Sequence, residues 1–532
     1  MSGAGEDGMT AGSSEGGAVA GTGGGPSAAG RSVGVTGATG YVGGRLVPRL
    51  LDEGYRVRCL ARSPGKLDGR PWRDRIEVVR GDVLDPESLA PFLDGLHAVY
   101  YLVHAMAEGE HGFEERDRRA ARGMARAAAR AGVGRIVYLG GLGETGERLS
   151  RHLASRLETG RALREGPVPV TELRAAVIVG SGSMSFEMIR ALVERLPVMI
   201  TPKWVNTRSQ PIAITDVLRY LVGCLAEERT AGGAFDIGGA DVLTYRDMML
   251  GYARARGLRR VMIPVPVLSP RLSSYWVDLI TPIPASYARP LIQGLKNEVV
   301  VRDHRIRDLV PFAPMGYDEA VRRAMALTES GDVETRWTEA SLPYVRLRRL
   351  RDPRRAAAAG NPGTSGAASV STGPGEIVDV RTAFSAAPPE AAWRAISGIG
   401  GRRGWYAYDT LWNLRGLMDR MSGGVGMRRG RRDPDRLRPG DALDFWRVEA
   451  VEPGRALVLR AEMKVPGEAW LEFRVEPGGD GTSCTVVQRA RFRPAPFWGR
   501  AYWTALLPVH AVVFRGMVRA IAERAERMAG GR

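Results

Sequence analysis

From Arg31 onward the chain alternates short apolar runs with longer stretches whose apolar residues recur three and four apart. RSVGVTGATG is a β-rich run closed by glycines, and YVGGRLVPRLLDEG after it carries apolar positions at helical spacing. YRVRCLAR and RIEVVRGD read as the next two strands and HAVYYLVH as a fourth. A helical pattern then runs from about Phe113 to Arg130, GRIVYLGG is a strand, a helix lies around Leu149 to Arg164, and PVTELRAAVIVG is a further strand. Strands alternating with helices of this length predict an α/β fold with a doubly wound parallel sheet covered on both faces.

The pattern changes after Leu350. RDPRRAAAAGNPGTSGAASVSTGPGE, residues 351–376, has small residues, breakers and no hydrophobic period, as expected of a flexible linker. Beyond it EIVDVRTAF is a strand and PPEAAWRAISGI a helix. ALDFWRVEAV, ALVLRAEM, AWLEFRVEP and SCTVVQRARFRP follow with period-two alternation and short turns. YWTALLPVHAVVFRGMVRAIAERAERM closes the chain as a long helix. This predicts an α+β unit in which an antiparallel sheet grips a terminal helix, often around a cavity. The expected organisation is a disordered tail (1–30), a parallel-sheet domain with a capping region (31–350), a linker (351–376) and an α+β domain (377–532).

A chain of 532 residues is too long for one ordinary core, in agreement with that division. The 76 Lys+Arg against 59 Asp+Glu give a formal charge of +17, nearly all from arginine. The arginines are scattered among acidic residues and no recognition helix, zinc-finger spacing or aromatic-basic groove stands out, so no nucleic-acid partner is expected. Cys59, Cys224 and Cys484 are far apart and odd in number, which fits neither a disulfide framework nor a metal site and favours a reducing cytoplasm. No metal is expected. The Gly/Ser-rich N-terminus lacks the layout of a signal peptide. No apolar run reaches about 20 residues, so no stable membrane insertion is expected.

The strongest chemical signal is VGVTGATGYVGGRL. Gly37, Gly40 and Gly43 stand three apart, directly after a strand and at the start of a helix, which is the layout of a Rossmann dinucleotide loop. The first glycine permits the turn, the second the approach of pyrophosphate and the third close helix–strand packing. Amides along Thr39, Gly40, Tyr41, Val42 and Gly43 would then face negative charge. At the end of the second strand, where an NAD site usually places Asp or Glu, the chain reads Arg58-Cys59-Leu60-Ala61-Arg62-Ser63. Arg62 could pair with a 2′-phosphate through its guanidinium fork, predicting NADP as cofactor, or it is a surface arginine; Arg58 is a weaker candidate. Asp82, after the third strand, could accept from the adenine amine or cap a helix.

These residues carry a resemblance. TGATGYVGG followed by RCLARSP, RGDVLD, the YYLVH strand and IVYLGGL resembles the short-chain dehydrogenase/reductase superfamily, in its atypical, epimerase-like and NmrA-like NAD(P)-binding branch. The resemblance implies that Asp82 and Val83 contact adenine and that the residues around His104 and Gly140-Gly141 line the dinucleotide. The chain departs from the usual Tyr-x-x-x-Lys pair: its helix reads LSRHLASRLETG, with His152 and Arg156 at the same i,i+4 spacing. His152 could serve as acid or base and Arg156 could hold a ribose or carboxylate; both could instead be polar helix residues, and Glu158 could orient a neighbour. Tyr101 and Tyr138 lie inside strands and are expected in the core. Asp216 is a plausible helix cap, and Tyr275 and Trp276 could touch a ligand or pack in a loop.

The C-terminal half resembles the DUF2867 domain, and its opening resembles the START/Bet v1-like superfamily. Trp405, Tyr406, Trp412, Arg415, Asp419, Arg429, Arg431, Asp444, Trp446, Glu462, Lys464 and Trp470 mix aromatic and charged groups, suited either to an amphipathic ligand or to a small core. The function expected is an NADP-dependent oxidoreductase or epimerase-like enzyme acting on a small organic or lipid-like molecule. The alternative is a non-catalytic NADP(H)-binding sensor with a ligand-binding C-terminal domain.

Overall fold

A computed structural model describes residues 30–530 except 69, 104–112, 144–149, 266–293, 331–332, 336, 338–367, 373–374, 422–425, 427–434, 440, 480 and 496–497. The first unit opens with β1 (Ser32–Thr36), α1 (Gly43–Asp52), β2 (Arg56–Ala61), β3 (Glu77–Arg80), α2 (Pro86–Leu93), β4 (Ala98–Tyr101), α3 (Phe113–Arg130), β5 (Arg135–Gly141), α4 (Arg151–Leu163) and β6 (Val170–Ala175). It continues with β7 (Ile178–Val179), α5 (Met184–Arg195), β8 (Val198–Pro202), β9 (Arg208–Ser209), β10 (Ile212–Ala213) and α6 (Ile214–Ala226). After these come β11 (Ala234–Ile237), β12 (Leu243–Thr244), α7 (Tyr245–Ala255), β13 (Val261–Val265), α8 (Ile306–Leu309) and α9 (Tyr317–Glu329).

Seven strands form one sheet in the order β11-β6-β5-β4-β1-β2-β3, with every neighbouring pair parallel. β4 is AVYY and buried along its whole length, as a strand covered on both faces must be. One face packs Leu46, Val47 and Leu50 of α1 with Val217 and Leu221 of α6. The other packs Leu89 and Phe92 of α2 with Ala121, Met124 and Ala128 of α3. Tyr101 and Tyr138 lie in this second core, 2% and 1% exposed, as their strand positions predicted. The strand order reverses between β1 and β4, so a crevice opens beyond their carboxyl ends, where open α/β sheets bind ligands.

Local chemistry sets the helix starts. Asp85 accepts from the Glu87 amide with Pro86 at the first helical position of α2. Ser150 caps α4 through the Leu153 amide, and Thr244 and Asp247 form a reciprocal capping box at α7. PVTELRAAVIVG, read as one strand, is two, β6 and β7, and they enter different sheets. β8 and β13 pair in parallel with Val198 opposite Val261 and Ile200 opposite Ile263, all four exposed.

The second unit holds β14 (Ala368–Thr372), β15 (Ile377–Ser385), α10 (Pro389–Ser397), α11 (Asp409–Met421), β16 (Ala442–Leu443), β17 (Trp446–Glu452), β18 (Ala456–Ala461), β19 (Gly467–Pro477), β20 (Cys484–Pro494) and α12 (Trp498–Gly530). Its strands form an antiparallel sheet in the order β14-β15-β20-β19-β18-β17-β16. The strand–helix–sheet–long-helix order is the one read from the sequence. One reading is corrected: residues 368–372 of the expected linker are the strand β14, which adds backbone hydrogen bonds to the edge of β15. A second difference lies in ALDFWRVEAV, which breaks into β16 and β17 because Asp444 turns the chain at φ 53°. α12 runs through Pro508, and one 18-residue stretch of it is apolar enough to cross a membrane by length and composition. Its inner stripe, including Trp503, Phe514, Met517 and Ile521, packs in the core of this unit.

Candidate functional site

The crevice at the switch point is built by the glycine loop. Gly37, immediately after β1, has φ +76°, and an added Cβ would stand 2.6 Å from the Leu102 carbonyl oxygen beyond β4. Gly43 opens α1 in close contact with the loop: its added Cβ would lie 2.3 Å from the Gly37 oxygen. Side chains are thus excluded at both positions by backbone, not by a movable neighbour. The Gly40 amide donates to the Gly37 carbonyl at 2.8 Å, which closes the turn. Thr36 fixes β1 to β4 behind it, donating to the Tyr100 carbonyl at 3.0 Å and accepting from the Leu102 amide at 3.1 Å. Val42, the residue before α1, offers no side-chain cap, so the helix's first amides have no side chain of their own to satisfy them.

Tyr41 faces two ways. Its backbone belongs to the loop, while its ring lies inward under the Arg45 guanidinium, 4.8 Å from the ring centroid. An added Cβ at Gly180 would stand 2.5 Å from the Tyr41 hydroxyl oxygen, and burial pushes that hydroxyl up to about 12. The side chain is therefore a packing element, and only its backbone is placed to meet a ligand. Arg45 itself is 3% exposed. It donates to the Thr335 hydroxyl at 2.9 Å and to the Ser181 carbonyl at 2.8 Å, and Thr335 donates to the Tyr41 carbonyl at 2.8 Å. Arg49 pairs with both oxygens of Glu334 at 2.8 Å, and Arg70 donates to the Glu334 carbonyl at 2.7 Å. The chain after α9 thus returns to brace the back of the loop. Sequence reasoning missed this brace because Arg45 reads as an ordinary polar position on an amphipathic helix.

At the end of β2 the two arginines separate. Arg58 is held by Glu77 at 2.6 Å and by the Phe92 and Asp94 carbonyls at 3.1 and 2.6 Å, which rules it out as a free phosphate ligand. Arg62 is exposed and makes no hydrogen bond or ion pair among the described residues. Asp82 accepts from the Leu84 amide at 3.0 Å in a turn, and the capping role falls to Asp85. Val83 lies beside it, half-buried against the α2–α3 core. His104 lies outside the described residues.

On the far side of the crevice, Gly140 and Gly141 end β5. An added Cβ on Gly140 would stand 3.1 Å from Glu172 Oε1, and on Gly141 3.0 Å from Leu153 Cδ2 of α4. Glu172 is fully buried, bonded to Arg164 and, at 3.1 Å, to Arg174. Gly140 therefore makes room for a buried carboxylate. Arg156 donates to the Leu139 carbonyl at 3.0 Å, and its own carbonyl accepts from the Tyr138 hydroxyl at 3.0 Å, so α4 is tied to β5 at this point. His152 sits in the first turn of α4, and its side chain lies outside the described residues. Glu158 is half-buried on the same helix. Asp216 is no cap: Ala213 holds that position, and Asp216 accepts the Met315 amide at 2.7 Å in a buried setting that raises its pKa. Tyr275 and Trp276 lie outside the described residues.

In the second unit the aromatic set is largely core. Trp405 is wholly buried, with ring centroids 5.2 Å from Trp412 and 6.2 Å from Trp446. Its indole donates to Asp444 at 2.9 Å, which explains the unusual backbone there. Tyr406 donates to the Ala395 carbonyl. Asp419 accepts the Lys464 amide at 2.7 Å and the Gly426 amide at 2.8 Å, and Arg447 pairs with Glu462 at 3.0 Å. Arg491 and Arg493 lie over the ring of Trp470. Arg429 and Arg431 lie outside the described residues.

Residues 37–169 match the NAD(P)H-binding family model, and residues 373–517 match DUF2867, a protein family of unknown function. The (4-alkanoyl-5-oxo-2,5-dihydrofuran-3-yl)methyl phosphate reductase of Streptomyces griseus is 30% identical over 231 residues, which is 42% of this chain and 73% of that protein. The ceramide reductase of Caulobacter vibrioides is 28% identical over 235 residues, 44% of this chain and 73% of that protein. The 3 beta-hydroxysteroid dehydrogenase/Delta 5-->4-isomerase of Mycobacterium tuberculosis is 34% identical over 113 residues, 20% of this chain, and the match spans only 30% of that protein. Among solved structures, the triphenylmethane reductase of Citrobacter sp. superposes with a TM-score of 0.46 at 22% identity, over 56% of this chain and 99% of that one. With a glycine loop at the switch point of its parallel sheet and a reductase of Streptomyces as a relative along most of that relative's length, the chain belongs to the NAD(P)-binding reductases of the short-chain dehydrogenase/reductase superfamily and carries a DUF2867 domain behind it.

Proposed function

We propose that the protein is an NADP(H)-dependent oxidoreductase acting on a small, largely apolar organic substrate. The observation that carries the cofactor choice is Arg62: an exposed, unengaged guanidinium at the end of β2, where a carboxylate would repel a 2′-phosphate. Two relatives that each match over 73% of their length, a ceramide reductase and a (4-alkanoyl-5-oxo-2,5-dihydrofuran-3-yl)methyl phosphate reductase, support the reaction class.

The donor set fits the cofactor. The amides of Thr39, Tyr41, Val42 and Gly43 would hold the pyrophosphate over the turn that the Gly40 amide closes, in a cradle that a Cβ at Gly37 or Gly43 would fill. Asp82 and Val83 would meet the adenine, Arg62 the 2′-phosphate, and the residues around His104 and Gly140 the nicotinamide half. The bound cofactor supplies the hydride. His152, in the first turn of α4, would donate or accept the proton at the substrate oxygen, taking the place of the usual tyrosine. Arg156 keeps α4 against β5 through the Leu139 carbonyl and would orient the ribose or a substrate carboxylate with its remaining donors.

Calorimetric titration of the full chain with NADPH and NADH tests the reading. Wild type is expected to prefer NADPH, and Arg62→Ala to lose about 10- to 100-fold in NADPH affinity with NADH unchanged, the scale of one charge-assisted contact. Equal binding of the two cofactors by wild type would overturn the NADP assignment.

A further inference from the structure

Two helices of the second unit turn apolar residues outward. In α11, Asp419 is buried on two backbone amides, Asp409 accepts the Trp405 amide at 2.7 Å, and Arg415 is half-buried. Leu411, Leu414, Leu417 and Met418 of the same helix are exposed. α12 lies alongside. Arg415 donates to its Tyr502 hydroxyl at 3.1 Å, and a Cβ on its Gly516 would stand 2.4 Å from the ring of Tyr408, the residue before α11. The two helices therefore run antiparallel. Tyr502, Val509 and Gly516 recur every seven residues, so Val509 shares the stripe of α12 that faces α11. On α11, Leu411 lies between Tyr408 and Arg415 on the matching stripe, and Met418 continues it. Val509 is nonetheless exposed, as is Val512 one turn further on, and Trp498 at the helix start is 77% exposed. The seam between the two helices is thus bordered by apolar side chains that nothing among the described residues covers.

Single exposed apolar residues are ordinary, but a contiguous face of them marks an interaction surface. Its charge says with what. From Trp498 to Ala522, α12 carries three arginines, Arg500, Arg515 and Arg519, and no acid, and all three are exposed. Arg515 and Arg519 follow Val512 by three and seven residues, which sets them beside the apolar stripe. Lys464, also exposed, stands by α11, where its carbonyl accepts from Arg415 at 3.2 Å. The two acids of α11 already serve backbone amides. An apolar strip with a tryptophan at its end and cations along its border complements a medium that is apolar within and anionic at its rim. The inner stripe of α12, with Trp503, Phe514, Met517 and Ile521, holds the core of the unit, so this helix lies along such a surface and does not span it. We propose that α11 and α12 dock the second unit on an anionic lipid bilayer. Leu414, Met418, Val512 and Trp498 enter the headgroup region, and Arg500, Arg515 and Arg519 meet lipid phosphates.

Flotation of the full chain with vesicles tests this, using phosphatidylcholine alone and phosphatidylcholine mixed with phosphatidylglycerol. Wild type is expected to float with the mixed vesicles at least about tenfold more tightly than with neutral ones, and to be released by high salt. The double variant Leu414→Gln, Met418→Gln changes exposed groups alone. Its melting temperature and NADPH affinity are expected to hold while vesicle affinity falls about tenfold or more. Trp498→Ser, at the first position of α12, is a second apolar deletion and should act in the same direction. Arg515→Gln with Arg519→Gln is expected to remove the preference for anionic vesicles. Absence of wild-type binding to the mixed vesicles, equal binding to neutral ones, or full vesicle affinity in both apolar variants would each overturn the proposal. So would a wild-type dimer in sedimentation that Leu414→Gln, Met418→Gln dissociates, since the face would then belong to a second copy of the chain.

Discussion

The α-carbon of Gly43 faces the carbonyl oxygen of Gly37 so closely that a Cβ on Gly43 would stand 2.3 Å away. Both partners in that approach are backbone, so the loop must open if any side chain is introduced. Opening would displace the amides that begin α1, which is the part of the loop a phosphate would meet.

Gly43→Ala is therefore expected to fold and to lose NADPH affinity by at least about tenfold, a loss of roughly 1.4 kcal/mol or more. Calorimetry on the full chain, with circular dichroism to check helix and strand content, measures both. Unchanged affinity would mean that the loop relaxes freely.

The brace behind the loop predicts a coupling. Thr335→Val leaves the buried Arg45 guanidinium short of an acceptor, and Arg45→Met leaves the Thr335 hydroxyl without its donor. Each is expected to destabilise by about 1–3 kcal/mol, and the double variant by less than the sum. The transition to follow is the one that NADPH shifts upward, because the two units need not melt together.

Glu172 predicts a steric test. A Cβ on Gly160 would stand 2.9 Å from the Glu172 carboxylate, and that carboxylate holds Arg164 and Arg174. Gly160→Ala should destabilise the first unit by about 1–3 kcal/mol through displacement of this cluster. The loss should shrink in a Glu172→Ala background. Equal losses in the two backgrounds would show that the contact is relieved elsewhere.

His510 predicts a pH dependence. Burial lowers its pKa from 6.5 to about 4, with Asp379 opposing and Arg415 assisting. The unfolded chain then binds the proton more readily between those values, so stability is full above about pH 6.5 and is lost as pH falls toward 4. The contribution is at most about 3 kcal/mol. Comparison of wild type with His510→Phe by thermal denaturation at pH 7 and pH 4.5 isolates it: the wild type should lose more on acidification than the variant.

What the sequence revealed was local. The glycine loop, the alternation of strands with helices and the edge position of Arg62 each depend on residues within a few positions of one another. The Tyr101 and Tyr138 side chains could be placed in the core from strand periodicity alone. What the sequence left open, or misplaced, turns on a partner elsewhere in the chain. Asp82 and Asp85 both suit a cap, and only the backbone path gives the cap to Asp85 and a turn to Asp82. Arg58 and Arg62 have the same type and nearly the same position, but Glu77 and the Asp94 carbonyl occupy one and leave the other. Asp216 looked like a cap until the Met315 amide, 99 residues away, claimed its carboxylate. Residues 368–372 lack the apolar alternation of an inner strand and could be placed as β14 only once β15 offered an edge.

The run through Glu334 and Thr335 has a consequence for where the nucleotide-binding module ends. The Trp337 amide donates to the Gly182 carbonyl at 3.0 Å, so the chain remains fastened to the first unit past the last helix, α9. Severing it between α9 and Val333 would strip Arg45 of its Thr335 acceptor and the Tyr41 carbonyl of its donor, although every strand of the parallel sheet stayed in place. The smallest fragment with an intact loop is thus longer than its sheet and helices, because the chain beyond α9, through Thr335, is part of the glycine loop's own foundation.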